Sequence, residues 1–271
     1  MRTSRVRRPI SIAFAALLLA GVSAGCGGDD ASTASSDGVE LVGLFRLTPG
    51  AVEGDQLTGT YFRMLQPDAD IDNGPYMINA NSPVEGGQAT LLAPGTSGGL
   101  RTGGYQSEPS PGFDADGNSL ANAITMPTKW FNVDFSISTN PVDPQTKTEV
   151  APPTVVNDDG QLTADLSSWA ASWNGQEFNQ GAPKPVSSTG AKAVGQEEAE
   201  RVYDWVAERF LESAPEATVT GDGATGTYDP ETGAFVLEWT SYIEGGAFNS
   251  FTGLWHLEGV FEPAERAPDG S

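Results

Sequence analysis

AFVLEWTSYI (234–243) and LWHLEGVFE (254–262) are the stretches that decide how this chain folds. Phe235, Leu237, Trp239 and Ile243 share one parity in the first, as do Trp255, Leu257 and Phe261 in the second. Successive side chains of a strand point to opposite faces, so this period of two predicts two strands, each with one buried face. TGTY (225–228) precedes them, joined through the Pro/Gly turn DPETG (229–233), and completes a hairpin.

The same alternation extends toward the N-terminus. ELVGLFRL (40–47), LTGTYFRML (57–65) and KWFNVDFSIS (129–138) read as strands. In the last of these, Phe131, Val133, Phe135 and Ile137 fall on one face, with Asn132, Asp134, Ser136 and Ser138 on the other. TVVNDDGQLTADL (154–166) carries Asp159-Gly160 between two strand-like halves, a hairpin signal. DLSSWAASW (165–173) fits a helix, with Leu166, Trp169, Ala170 and Trp173 on one face, or a bulged strand; its β neighbours favour the strand. One helix is expected near 196–212, where Ala199, Val202, Tyr203, Val206 and Phe210 form an apolar stripe and Pro215 lies beyond the end. Many short strands with Gly/Pro turns predict a mainly β fold, an antiparallel β-sandwich or jelly roll, with this amphipathic helix inserted.

Composition narrows the function. The N-terminus, MRTSRVRR followed by PISIAFAALLLAGV, pairs a basic region with an apolar run too short for a comfortable membrane span, as a secretory signal does. With those four arginines removed, 10 basic residues face 36 acidic ones, a formal charge of −26. Such a surface repels nucleic acid and anionic headgroups. His256 is the single histidine, so a multi-histidine zinc site is excluded and a Ser-His-Asp triad has only this residue to draw on.

The apolar run ends in Ser23-Ala24-Gly25-Cys26 and resembles the lipobox of bacterial lipoproteins. The resemblance implies a signal peptide at 1–25, acylation of Cys26 (the only cysteine), and anchoring of an exported protein to the outer face of the cell membrane or in the cell envelope. The alternative is an ordinary signal peptide cut before or near Cys26. Residues 26–38 then form a lipidated, Gly/Ser-rich flexible tether, 39–262 a single β domain, and 263–271 a disordered tail. WNGQEFNQG (173–181) and TGTYDPETGAFVLEWTSYIEGGAFNSFTGLWHLEG (225–259) resemble recurring segments of an uncharacterised family of exported, surface-anchored bacterial β proteins. That resemblance implies surface display and no catalytic residues.

Four features are candidates for chemistry. Pairing the two C-terminal strands with Trp239 opposite Leu257 places Glu238 opposite Glu258 on the outward face, with His256 diagonal to Glu238 and opposite Thr240. Opposed carboxylates need a shared proton or a cation, which suits acid/base cleavage of a glycoside. A shifted register would leave the two glutamates exposed and solvated. DADIDNG sets Asp68, Asp70 and Asp72 at the alternating positions of a calcium loop, although its glycine and its twelfth position, Asn79, depart from an EF-hand. DADGN offers Asp114, Asp116 and Asn118 in an everyday turn sequence. Trp130 and Trp173 are out of phase with an apolar face and are the candidates for an aromatic sugar platform. The expected function is non-enzymatic binding of a ligand, glycan or envelope component by a lipid-anchored protein, with calcium as the one candidate cofactor. The alternatives are a carboxylate-dependent glycoside hydrolase using Glu238 and Glu258, and a lipid carrier with an apolar interior.

Overall fold

The computed structural model describes residues 38–54, 56–185, 202–204, 209–211, 219–220, 222–244 and 248–264. The signal, Cys26 and most of the tether therefore lie outside the described residues. In chain order the strands are β1 (Val39–Glu40), β2 (Gly43–Leu47), β3 (Ala51–Glu53), β4 (Gln56–Thr58), β5 (Tyr61–Asp70), β6 (Gly74–Tyr76), β7 (Thr90–Leu91), β8 (Gly99–Arg101), β9 (Thr128–Trp130) and β10 (Val133–Thr139). They continue as β11 (Thr154–Asp158), β12 (Gln161–Asp165), β13 (Trp169–Trp173), β14 (Gln176–Asn179), β15 (Lys184–Pro185), β16 (Val202–Asp204), β17 (Arg209–Leu211), β18 (Val219–Thr220), β19 (Ala224–Tyr228), β20 (Ala234–Tyr242) and β21 (Thr252–Pro263).

The larger sheet runs β1-β11-β12-β19-β20-β21-β2-β8, every pair antiparallel. β21 is its axis. One edge of β21 pairs with β20 from Thr252 to Val260; the other is shared, with β5 along Thr252–His256 and β2 along Gly259–Pro263. The sheet thus forks beside Leu257 and Glu258, and β5 carries β6 and β7 away on its own branch. The smaller sheet runs β14-β13-β10-β9.

The inward-facing residues of the two sheets meet face to face, as in a β-sandwich. Trp239 and Trp255 stack at 5.8 Å, and the edge of Trp169 from the smaller sheet meets them at 5.2 and 5.5 Å. Phe62 packs at 4.4 Å on Trp255 and bridges to Trp130 and Phe135. Tryptophans bury large areas and favour edge-to-face contact, so this cluster is the anchor of a core built without a disulfide. Lys184 is fully buried at its margin: Nζ donates to the Asn179 carbonyl (3.2 Å), the Asn179 Oδ1 and the Tyr242 carbonyl (2.8 Å). Burial pushes its pKa down, but three acceptors match the three donors of an ammonium group.

Three hairpins turn through two residues of positive φ, the sense that matches strand twist: Phe131-Asn132, Asp159-Gly160 and Asn174-Gly175. Asp159-Gly160 is where the sequence predicts it. Phe131-Asn132 corrects the single strand expected over 129–138: Trp130 pairs with Val133, Phe131 sits exposed at the turn, and Phe135 and Ile137 are buried. Residues 165–173 are strand in part, β12 ending at Asp165 and β13 starting at Trp169. Within the 196–212 segment expected to be helical, the described residues are β16 and β17, which pair antiparallel with Tyr203 opposite Phe210; the rest lies outside the described residues. Valine, tyrosine and phenylalanine favour strands as much as an apolar helix stripe, so periodicity alone does not decide between them there. At the C-terminal end β21 runs to Pro263, and Ala264 N donates to the Val42 carbonyl (2.9 Å), so these two residues belong to the fold rather than to the expected tail.

Candidate functional site

β20 and β21 pair with Trp239 opposite Trp255, two residues from the expected register. A shift of two leaves every inward residue inward, so alternation cannot choose between the registers. Packing does, because only this one stacks Trp239 on Trp255 across the strands. Glu238 therefore faces His256 directly, Glu258 faces Val236, and Thr240 faces Leu254.

The row continues on both sides. Thr225 of β19 pairs with Glu238, and Tyr61 of β5 pairs with His256. Thr225, Glu238, His256 and Tyr61 thus stand side by side on four adjacent strands of the outward face. The His256 Nδ1 lies 2.8 Å from Glu238 Oε1, and its ring stacks on Tyr61 at 4.6 Å and 8°. Its other ring nitrogen, Nε2, faces Glu258 Oε2 at 3.7 Å. The histidine side chain is 17% exposed while that of Glu238 is 62% exposed. Burial, and next the Glu238 charge, push the Tyr61 phenol above its ordinary pKa, so it stays a neutral hydroxyl.

Glu258 has a different employment. Its Oε2 accepts from Gly59 N (2.8 Å), and its carbonyl accepts from Thr48 N (2.8 Å) and Thr60 Oγ1 (3.3 Å). These bonds satisfy backbone groups at the fork, where β5 and β2 part from β21. The two glutamates therefore flank the histidine rather than oppose each other.

The row floors a cleft of about 580 Å³, within the size range of small-molecule sites. One wall is the segment carrying Ile71, Asp72 and Tyr76; the other is formed by Asp222 and Gly223. Arg63 and Thr240 complete the floor, and the Arg63 guanidinium lies 3.9 Å from the Tyr76 ring centre. Asp72, noted in the sequence as a calcium ligand, is thus brought to the same cleft as Glu238 and His256. Asp70 is not free to join it: its Oδ1 accepts from Asp72 N, Asn73 N and Asn73 Nδ2, bonds that hold its pKa below the ordinary value. The side chain of Asp68 lies outside the described residues. Asp114 closes the DADGN turn in the same manner, accepting from Asp116 N, Asn118 N and Asn118 Nδ2. Among the described residues no three acidic, histidine or cysteine side chains gather as a metal site.

Of the two platform tryptophans, Trp130 is corrected and Trp173 is partly buried. Trp130 is buried between the sheets, and Trp173 Nε1 donates to its carbonyl (2.8 Å). The turn at Phe131-Asn132 reverses the chain and brings Trp130 inward, which a reading of one continuous strand could not show. These two rings line an apolar cavity of about 30 Å³ with Phe62, Phe135 and Phe248, space for about one water molecule.

Sequence reasoning missed Tyr61 and Arg63, which reach the cleft through β5–β21 pairings that join residues nearly two hundred positions apart, and Asp222, which stands just before β19. It also missed an acid pair between Glu177 on β14 of the smaller sheet and Glu108 in a loop. Burial, and next a hydrogen bond with Glu108, push the Glu177 carboxyl up to about 8. Ser172 Oγ donates to Glu108 Oε2 (3.2 Å). The chain matches no protein-family model, no curated protein and no solved structure.

Proposed function

We propose that this protein is a lipid-anchored cell-envelope protein that binds a saccharide in the Glu238–His256 cleft without cleaving it. Export and the anchor rest on the basic–apolar N-terminus and the lipobox at Cys26. The observation that carries binding is the row Thr225–Glu238–His256–Tyr61 at the bottom of the cleft. It offers a hydroxyl, a carboxylate, an imidazole and a phenol side by side, the mixed donors and acceptors that ring hydroxyls require. The hydrolase reading that pairs Glu238 with Glu258 draws less support, because Glu258 is bonded to Gly59 N at the fork. The calcium and lipid-carrier readings draw less support, from Asp70 and Asp114 bonded within their own turns and from an interior filled by tryptophans.

Calorimetric titration with glucose and N-acetylglucosamine oligomers of two to four rings tests this. The expected result is saturable binding that Glu238→Gln weakens at least about tenfold, as loss of a hydrogen bond to a charged group does. No change on substitution at Glu238 or His256, or glycosidic cleavage lost with Glu238→Gln, would overturn it.

A further inference from the structure

Resting on the saccharide reading, we infer that the cleft selects a ligand bearing protonated amines over its neutral counterpart. Among the described residues three carboxylates line the cleft, and they come from three separate segments: Asp72 after β5, Asp222 before β19, and Glu238 on β20. Asp72 and Asp222 are both exposed, and neither makes a salt bridge among the described residues.

One cation among the described lining residues balances only part of that charge. Among the described residues Arg63 is the one lysine or arginine lining the cleft, and its guanidinium lies over the Tyr76 ring, with Nε directed at the Gln88 carbonyl (3.4 Å). His256 has its Nδ1 committed to Glu238. The wall itself shows what it tolerates, since Tyr76 already holds a cation against its face. A mature chain of formal charge −26 draws cations toward such a cleft from a distance, and low-dielectric walls concentrate that field. A neutral oligosaccharide would find the same hydrogen-bonding floor and none of this attraction. The expected ligand class is therefore an amino sugar, or an oligomer of amino sugars, with free amines.

Two tetrasaccharides of one linkage separate the claims: fully N-acetylated chitotetraose, and the same oligomer with all four amines free. Each is titrated into the mature chain at mildly acidic pH, where the amines are protonated, in low salt and again in about 0.5 M salt, which screens exposed charges. The tetra-amine is expected to bind at least about fivefold more tightly in low salt, the gain available from a few exposed ion pairs. That advantage should shrink in high salt, and in the double variant Asp72→Asn, Asp222→Asn. Glu40→Gln, on the distant edge strand β1, should leave it in place. Equal affinity for both oligomers would overturn the inference while leaving saccharide binding standing. An advantage that survives the double variant would place the amines elsewhere on the acidic surface and overturn it too. Failure of both oligomers to bind would remove the saccharide reading as well.

Discussion

His256 shows how much a single side chain is worth in this chain. It is the lone histidine, held from one side by Glu238, approached from the other by Glu258 and stacked on Tyr61. The sequence brought Glu238, His256 and Glu258 to notice, because alternation puts all of them on the outward face, but not Tyr61, whose place is set by a strand far upstream. Glu177 lay out of sight for the same reason. Its partner Glu108 sits in a segment without periodic pattern, and only the folded chain brings the two carboxyls together. Because the folded protein keeps a proton on Glu177 that the unfolded chain has released, stability should fall as pH rises from the ordinary value of 4.5 toward about 8. Glu177→Gln removes that dependence. The group is about half exposed, so solvent screening limits the gain at pH 8 to about 1 kcal/mol, or about 2–4 °C in Tm. Thermal melts of both proteins across this range check it; a wild-type Tm that rises through the window would contradict the assignment.

At the scale of elements, periodicity was a reliable guide to strands and a poor one to their boundaries and partners. Phe235, Leu237, Trp239, Trp255 and Leu257 are buried, as the alternation requires. What alternation could not supply was the register, since a slip of two residues preserves it, nor the Phe131-Asn132 turn, whose residues lack the usual Asn-Gly or Asp-Gly signature. Segment 196–212 carries a helical stripe made of residues that also favour strands, and its described parts pair as strands. One further determinant of register is legible only afterwards. Gly259 pairs with Leu47 on one side and Phe235 on the other, and a Cβ there would stand 1.8 Å from the Arg46 carbonyl oxygen. Gly259→Ala should therefore force β2 from β21 and cost about 3 kcal/mol, as overpacking of a closed site does. Urea unfolding measures this directly. A loss below about 0.5 kcal/mol would mean that the two strands separate freely.

For the whole molecule, charge and architecture act together. A disulfide-free sandwich is stabilised by its tryptophan cluster, its exterior is strongly acidic, and the larger sheet forks around β21 so that a row of polar side chains lies at the bottom of a cleft. The acidity could be read from composition; the cleft could not, because its lining comes from β5, β19, β20 and β21 and from the turn at Ile71–Tyr76. The most direct measurement uses the uniqueness of the histidine. His256 gives one set of ring resonances, so an NMR titration with the saccharide that binds most tightly reports on the cleft without assignment of the remaining spectrum. The account predicts that these resonances shift in proportion to occupancy, and that the shift disappears with Glu238→Gln at the same ligand concentration. Saturable binding that leaves the His256 ring signals unmoved would place the ligand elsewhere and contradict it.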